Sequence, residues 1–202
     1  MLAVAGGKGG VGKTTTAIGL ARALAGQRRR PLVVDADTDM PDLHVVADVP
    51  ADPGVDALAD GRGLRAATHA PEQFPGVAVC PAAPGARVDA ALARLAGHAD
   101  PVVVDCPGGA RPDAAAPLRR ADRALVVTTP DRPAVTDAVK TAAMARALGT
   151  PVAGGVVVRA ADPPAGLADA LDAPVLASVP DAESPLAANG VRAAYGRLAA
   201  AL

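Results

Sequence analysis

The chain has no tryptophan, one phenylalanine and one tyrosine, and Cys80 and Cys106 are its two cysteines. Two cysteines are too few for a disulfide scaffold, and their separation makes no C-x-x-C metal site. The three histidines, His44, His69 and His98, have no partners at ligand spacing, so none is assigned to a metal. No strongly apolar run reaches the ~18 residues of a membrane span. The first residues read directly as a strand rather than as a leader, so no signal peptide is expected. A net charge of −1 supplies no global basic field to recruit nucleic acid or anionic lipid. These absences lead to the expectation of a reduced, cytoplasmic protein, and 202 residues suit a single domain over 1–202.

What the chain does have is small and skewed. It contains 51 Ala, 21 Gly and 20 Pro, with 17 Arg against 3 Lys and 19 Asp against 2 Glu. Half the residues are hydrophobic and a fifth are charged, which fits a folded globular protein and argues against disorder. The skew points to a genome rich in G and C. Against that background, two of the three lysines, Lys8 and Lys13, fall within one glycine-rich hexamer. Arginine was the default cation, so a slim ammonium is what that segment requires.

Short apolar runs alternate with alanine-rich helical stretches. Strand-like runs occur at 2–5, 31–35, 77–80, 102–105, 125–128, 152–158 and 175–179. Each is nearly continuous in apolar character, as expected of strands buried on both faces, and helical patterns separate most of them. A helix is expected over 14–25, closed by Gly26, with Leu20 and Leu24 on one face. The stretch 48–75 is the least regular, with a short helix around 55–58. Together these features predict an α/β fold: one domain with a mostly parallel β-sheet flanked by helices on both faces. Alanine suits the outer helices and valine the strands.

The segment from Gly6 to Thr14 contains G-x-x-x-x-G-K-T, with Gly7 and Gly12 as its fixed glycines, between the first strand and the first helix. In that context the glycines let backbone N–H groups turn inward around phosphates, and the helix start adds its positive dipole end. Lys13 is placed to reach the β- and γ-phosphates, and the Thr14 hydroxyl to reach a magnesium ion.

Residues 8–15, K-G-G-V-G-K-T-T, resemble the deviant Walker A motif of the MinD/ParA family of P-loop ATPases, whose mark is the additional lysine, here Lys8. Val33 to Asp37 resembles that family's switch I strand and its D-x-D. Val102 to Gly109 resembles its Walker B and switch II segment, D-x-P-x-G. Ala121 to Asp131 is similar to the MinD-type A-D-x-x-x-V-V-T-T-P-E, and Pro174 to Asp181 is similar to the stretch before the last helices. The likeness spans essentially the whole chain and fits the MinD branch better than the ParA branch.

The resemblance implies a single P-loop NTPase domain using ATP and Mg²⁺. It assigns nucleotide contacts to Gly7, Lys8, Gly9, Gly10, Val11, Gly12, Lys13, Thr14, Thr15, Gly108, Pro180 and Asp181. It assigns the metal to Thr14, Asp105 and, in the outer shell, Asp35, and the positioning of the attacking water to Asp37. Gly108 and Gly109 would let the backbone sense the γ-phosphate. Lys8 would reach across an ATP-dependent homodimer to the partner's phosphates. Asp39 and Asp42 read instead as loop acids capping a turn. The implied function is an ATP-driven dimerisation switch in cell division or in positioning chromosomes, plasmids or other cargo, with a protein activator or cargo adaptor. Two alternatives are an ATP-dependent biosynthetic ligase of the dethiobiotin-synthetase type and a slowly hydrolysing nucleotide-binding adaptor.

Several features set limits on that reading. Val158 stands where family members often carry the Asn that reads adenine, so base preference is expected to come from backbone near Pro180. The two cysteines lack the C-x-x-C of the iron–sulfur carrier branch and read as buried thiols. Arg28-Arg29-Arg30 is the candidate for non-specific DNA contact, but it follows a helix C-terminus, where cations are favoured anyway. At the end of the chain Val191, Ala194, Tyr195, Leu198 and Leu202 form a helical stripe, with Arg192 and Arg197 as its cations. A membrane-surface helix needs more cations and a bulkier face, so this helix is expected to pack on the domain rather than to anchor it.

Overall fold

The computed structural model describes residues 1–109 and 112–202. Seven strands form one sheet: β1 (Leu2–Gly6), β2 (Leu32–Asp35), β3 (Ala78–Cys80), β4 (Val102–Gly108), β5 (Arg123–Thr128), β6 (Val152–Val158) and β7 (Val175–Val179). Their order is β3-β2-β4-β1-β5-β6-β7, and every strand pair is parallel. The helices are α1 (Lys13–Gly26), α2 (Leu43–Ala47), α3 (Val55–Ala59), α4 (Val88–Arg94), α5 (Pro112–Arg120), α6 (Arg132–Ala147), α7 (Leu167–Leu171) and α8 (Asn189–Ala201).

Alternation along each strand sends neighbouring side chains to opposite faces. In β1, Val4 joins a core with Ile18 and Leu20 of α1 and with Tyr195 and Leu198 of α8. Ala3 and Ala5 join the opposite core, with Leu58 of α3, Leu92 of α4 and Leu118 of α5. Toward the far edge, Val126 of β5 and Val157 of β6 pack under α6 and α7 through Ala138, Ala142, Leu167 and Leu171. Both faces are covered, which is why the strands read as unbroken apolar runs.

The expected strands all form, and the expected C-terminal stripe is buried: Val191, Ala194, Tyr195 and Leu198 are each no more than 2% exposed. Two local expectations fail. Gly26 does not close α1; it is the last helical residue, and the left-handed position falls on Arg28, at φ 63°. The segment 48–75 also has more order than its composition suggests. The expected short helix forms as α3, and beyond it the segment holds a 3-10 turn at Leu64–Ala66 and an antiparallel bridge from His69 to Val79 that covers the free edge of β3. That bridge satisfies backbone groups an edge strand would otherwise expose.

Helices α1 and α8 meet closely at Gly19. A Cβ built there would stand 2.3 Å from Tyr195 Cδ2 and Cε2, while the Tyr195 hydroxyl lies 3.2 Å from Thr16 Oγ1. Helix propensity alone says that Gly19→Ala stabilises the protein by ~0.5–1 kcal/mol. Overpacking a full core costs ~1–3 kcal/mol, so packing reverses the sign. Urea denaturation should show Gly19→Ala with a lower midpoint than wild type, and the second substitution Tyr195→Leu should recover part of the loss.

Candidate functional site

Because all strands are parallel, their C-terminal ends share one edge of the sheet. The loop between β1 and α1 rises from this edge. Gly10 and Gly12 adopt left-handed φ values of 75° and 86°, and Gly12 is the residue from which α1 starts. A Cβ on Gly7 would lie 2.1 Å from Asp137 Cβ, so that glycine is required by the close approach of α6. A Cβ on Gly9 or Gly10 would meet nothing within 4 Å, which leaves those two at an open mouth. Val11 is buried in the core and pins the loop down. From β4, Gly108 comes so near that its Cβ would stand 3.0 Å from the Gly9 nitrogen.

Beneath the loop lies a cluster of charge. Lys13 is 8% exposed, and its Nζ donates to the Lys8 carbonyl at 3.5 Å. Asp35 and Asp105 are register partners on β2 and β4, and both are buried. Asp35 accepts from the Asp37 and Leu43 backbone N–H groups at 3.0 and 3.3 Å. Burial nevertheless pushes its carboxyl up to about 7, with the charges of Asp42 and Asp37 adding to the shift. For Asp105, burial drives the carboxyl well above its ordinary value, against the opposing pull of Thr14 and Lys13. Its Oδ1 has no hydrogen-bond partner among the described residues. A buried carboxylate oxygen left unbonded is costly unless a ligand completes it.

Around the mouth, Asp37 Oδ1 accepts from the N–H groups of Asp39 and Met40 at 3.2 and 3.0 Å, so it closes the turn after β2. Lys8 is half-exposed and pairs with Asp131 Oδ1 at 3.5 Å. Asp131 also accepts from the Ala134 N–H at 3.1 Å, capping α6, and from the Thr129 hydroxyl. The loop itself is braced by Arg159, which has a left-handed φ of 57° and donates to the Gly10 carbonyl at 3.2 Å.

The structure therefore brings together Lys8, Lys13, Thr14, Asp35, Asp37, Asp105 and the loop glycines. It does not join Pro180 and Asp181 to the loop by any hydrogen bond among the described residues; they follow the end of β7, beside β6. Thr15 faces away, lining a cavity with Arg22 and Phe74. Val158 is 6% exposed and packs beneath the loop, its Cγ2 3.6 Å from where a Gly12 Cβ would be.

Three participants, Asp42, Asp131 and Arg159, were not among the residues assigned to the site from the sequence. Asp42, read there as a turn cap, caps α2 with its backbone carbonyl, which accepts from the N–H groups of Val45 and Val46. Its side chain instead accepts from the Thr14 hydroxyl at 2.9 Å. Nothing in a lone loop aspartate signals that contact. Asp131 was visible as the acid at the end of the T-T-P-D segment, and its i+3 distance from Ala134 marks a helix cap. Arg159 carried no signal of its own.

Comparison with known proteins agrees with this geometry. Residues 2–189 match the family model described as the CobQ/CobB/MinD/ParA nucleotide binding domain. An uncharacterized ATP-binding protein of Methanocaldococcus jannaschii is 30% identical over 196 residues, which covers 89% of this chain and 74% of that protein. The septum site-determining protein MinD of Synechocystis is 32% identical over 149 residues, 68% of this chain and 56% of the relative, so the chain matches little more than half the length of that protein. Among solved structures, MinD of Pyrococcus horikoshii complexed with Mg-ADP superposes with a TM-score of 0.83 at 28% identity, over 98% of this chain and 93% of that one. The chain belongs to the CobQ/CobB/MinD/ParA family of nucleotide-binding domains, and its fold is that of a MinD-type P-loop ATPase.

Proposed function

We propose that this protein is a Mg²⁺-dependent ATPase that dimerises on ATP and works as a switch in cell division or in positioning cellular cargo. The observation that carries this reading is the pairing of an open glycine mouth with buried Lys13 and the unbonded Asp105 oxygen directly behind it. Backbone N–H groups of the loop and the start of α1 bind the phosphates, and Lys13 offsets their charge in a site that excludes water. Bound magnesium would supply further neutralisation of the β- and γ-phosphate oxygens.

The residues present fit such an ion. Asp105, Asp35 and the Thr14 hydroxyl are oxygen donors, and burial raises both carboxyls above the ordinary carboxylate value. Among the described residues no three His, Cys, Asp or Glu side chains form a ready-made cage. That suits magnesium, which keeps several waters and leans on phosphate oxygens. Thr14 would exchange its bond to Asp42 for the ion.

Asp37 orients the attacking water, leaving its turn contacts to do so. Lys8 supplies the switch. In the single chain it rests on Asp131, and in the dimer it crosses to the partner's phosphates, where two facing triphosphates otherwise repel. A protein activator or cargo adaptor would act on this equilibrium. The biosynthetic-ligase alternative has less support, since the chain is most like proteins of the MinD type.

Three outcomes test the reading. Lys13→Ala removes a buried charge partner, a change that costs ~2–5 kcal/mol at comparable sites, so ATP affinity measured by calorimetry should fall at least ~30-fold. Asp37→Ala should keep ATP binding and lower turnover by roughly a hundredfold or more, in the range of a lost proton-transfer or water-positioning group. In that hydrolysis-blocked background, ATP with Mg²⁺ should double the mass seen by light scattering while ADP does not, and Lys8→Ala should bind ATP yet remain a monomer. A dimer that persists without Lys8 would remove the crossing lysine from the mechanism.

A further inference from the structure

Helices α1 and α8 pack side by side, and a groove of about 710 Å³ lies between their outward faces. Its walls carry two guanidinium groups, Arg22 and Arg192, and no carboxylate. Neither helix contains an Asp or Glu, in a chain with 19 Asp and 2 Glu. Arg87 and Arg120, by contrast, have carboxylate partners: Arg87 bonds Asp56 and Asp60, and Arg120 grips Asp89 with two bonds of 2.8 Å. In the groove Arg22 donates to the Leu186 carbonyl at 2.7 Å and stands 5.9 Å from the centre of the Phe74 ring, while Arg192 is exposed. Burial first, and then the charge of Arg192, pulls the Arg22 pKa down.

A second observation concerns the groove's glycines. Gly26 and Gly196 both line it, and a Cβ on either would meet nothing within 4 Å. Neither has a positive φ among the described residues. Glycine is a poor helix former, and in a chain this rich in alanine neither backbone geometry nor internal packing calls for it there. The room it leaves opens outward. Ala23 and Gly26 on one helix, and Asn189, Ala193 and Gly196 on the other, lie three or four residues apart, which makes a low row along each wall. Such rows let a third helix approach to close packing distance, roughly 8–10 Å between axes.

We propose that this groove docks an acidic amphipathic helix of a protein partner, with its carboxylates on Arg22 and Arg192 and its apolar face on the glycine–alanine rows. Charge complementarity selects the sign. A nucleic acid fits less well, because two guanidinium groups neutralise few phosphates and the aromatic rings of Phe74 and Tyr195 are buried away from base stacking. The surface is separate from the nucleotide mouth, so the proposal stands or falls independently of the ATPase reading.

The test uses the full chain and a fluorescent helical peptide of Ala, Leu and Glu with its glutamates four residues apart. Anisotropy should show saturable binding that weakens about tenfold or more when the glutamates become glutamines. Arg192→Glu should weaken the acidic peptide by a similar factor and strengthen binding of the matching lysine peptide. Gly196→Leu should block the acidic peptide by filling the groove, with ATP affinity unchanged in both variants as the control for folding. The proposal is overturned by absence of saturable binding, by equal binding of the glutamine peptide, by indifference to Arg192→Glu, or by duplex DNA displacing the peptide in an Arg192-dependent way.

Discussion

Charge held in a dry place is the constraint on which this fold depends. Lys13, Asp35 and Asp105 lie where three neighbouring strands end, inside the sheet's apolar envelope. Each would be costly there alone, by several kcal/mol for an isolated ion. The adjacent arrangement reduces that penalty without removing it, since both carboxyls stay raised and one oxygen of Asp105 stays unbonded. The local architecture keeps this tension in place. Val11 and Val158 hold the loop floor from below, Gly7 lets α6 close in, and Gly108 lets β4 press against the loop. Folding leaves this electrostatic cluster incomplete.

Much of this was legible in the residues, for identifiable reasons. Strands buried on both faces carry continuous apolar runs, so the sheet was visible, and a glycine loop between strand and helix carries its own chemistry in its spacing. Contacts set by tertiary geometry were not visible. The Asp42 to Thr14 bond joins residues 28 apart through the path of a loop, and the Arg159 brace joins residues 149 apart. The stop of α1 was misplaced because the left-handed position went to Arg28 while a glycine stood two residues earlier. Propensity favours glycine at such a site, but the register of the helix against the sheet decided where the turn came.

The lysine at the mouth is held only lightly where it rests. Its partner Asp131 is also about half exposed, and ion pairs of that kind contribute ~0–1 kcal/mol. Asp131 loses little when the lysine leaves, because the Ala134 N–H and the Thr129 hydroxyl still hold its carboxylate. A resting contact this weak orients the lysine without trapping it.

The position of β1 in the sheet order has a consequence for how the molecule is made. This strand precedes both of its neighbours in the chain, yet it lies between β4 and β5, with Leu2 in register with Val103 on one side and Arg123 on the other. About a hundred residues must be synthesised before either neighbour exists, at ~5–20 residues per second. For those seconds the strand, and the glycine loop behind it, have no sheet to join. The all-parallel order therefore makes closure of this part of the sheet a late and cooperative event, because β1 must wait for both of its neighbours.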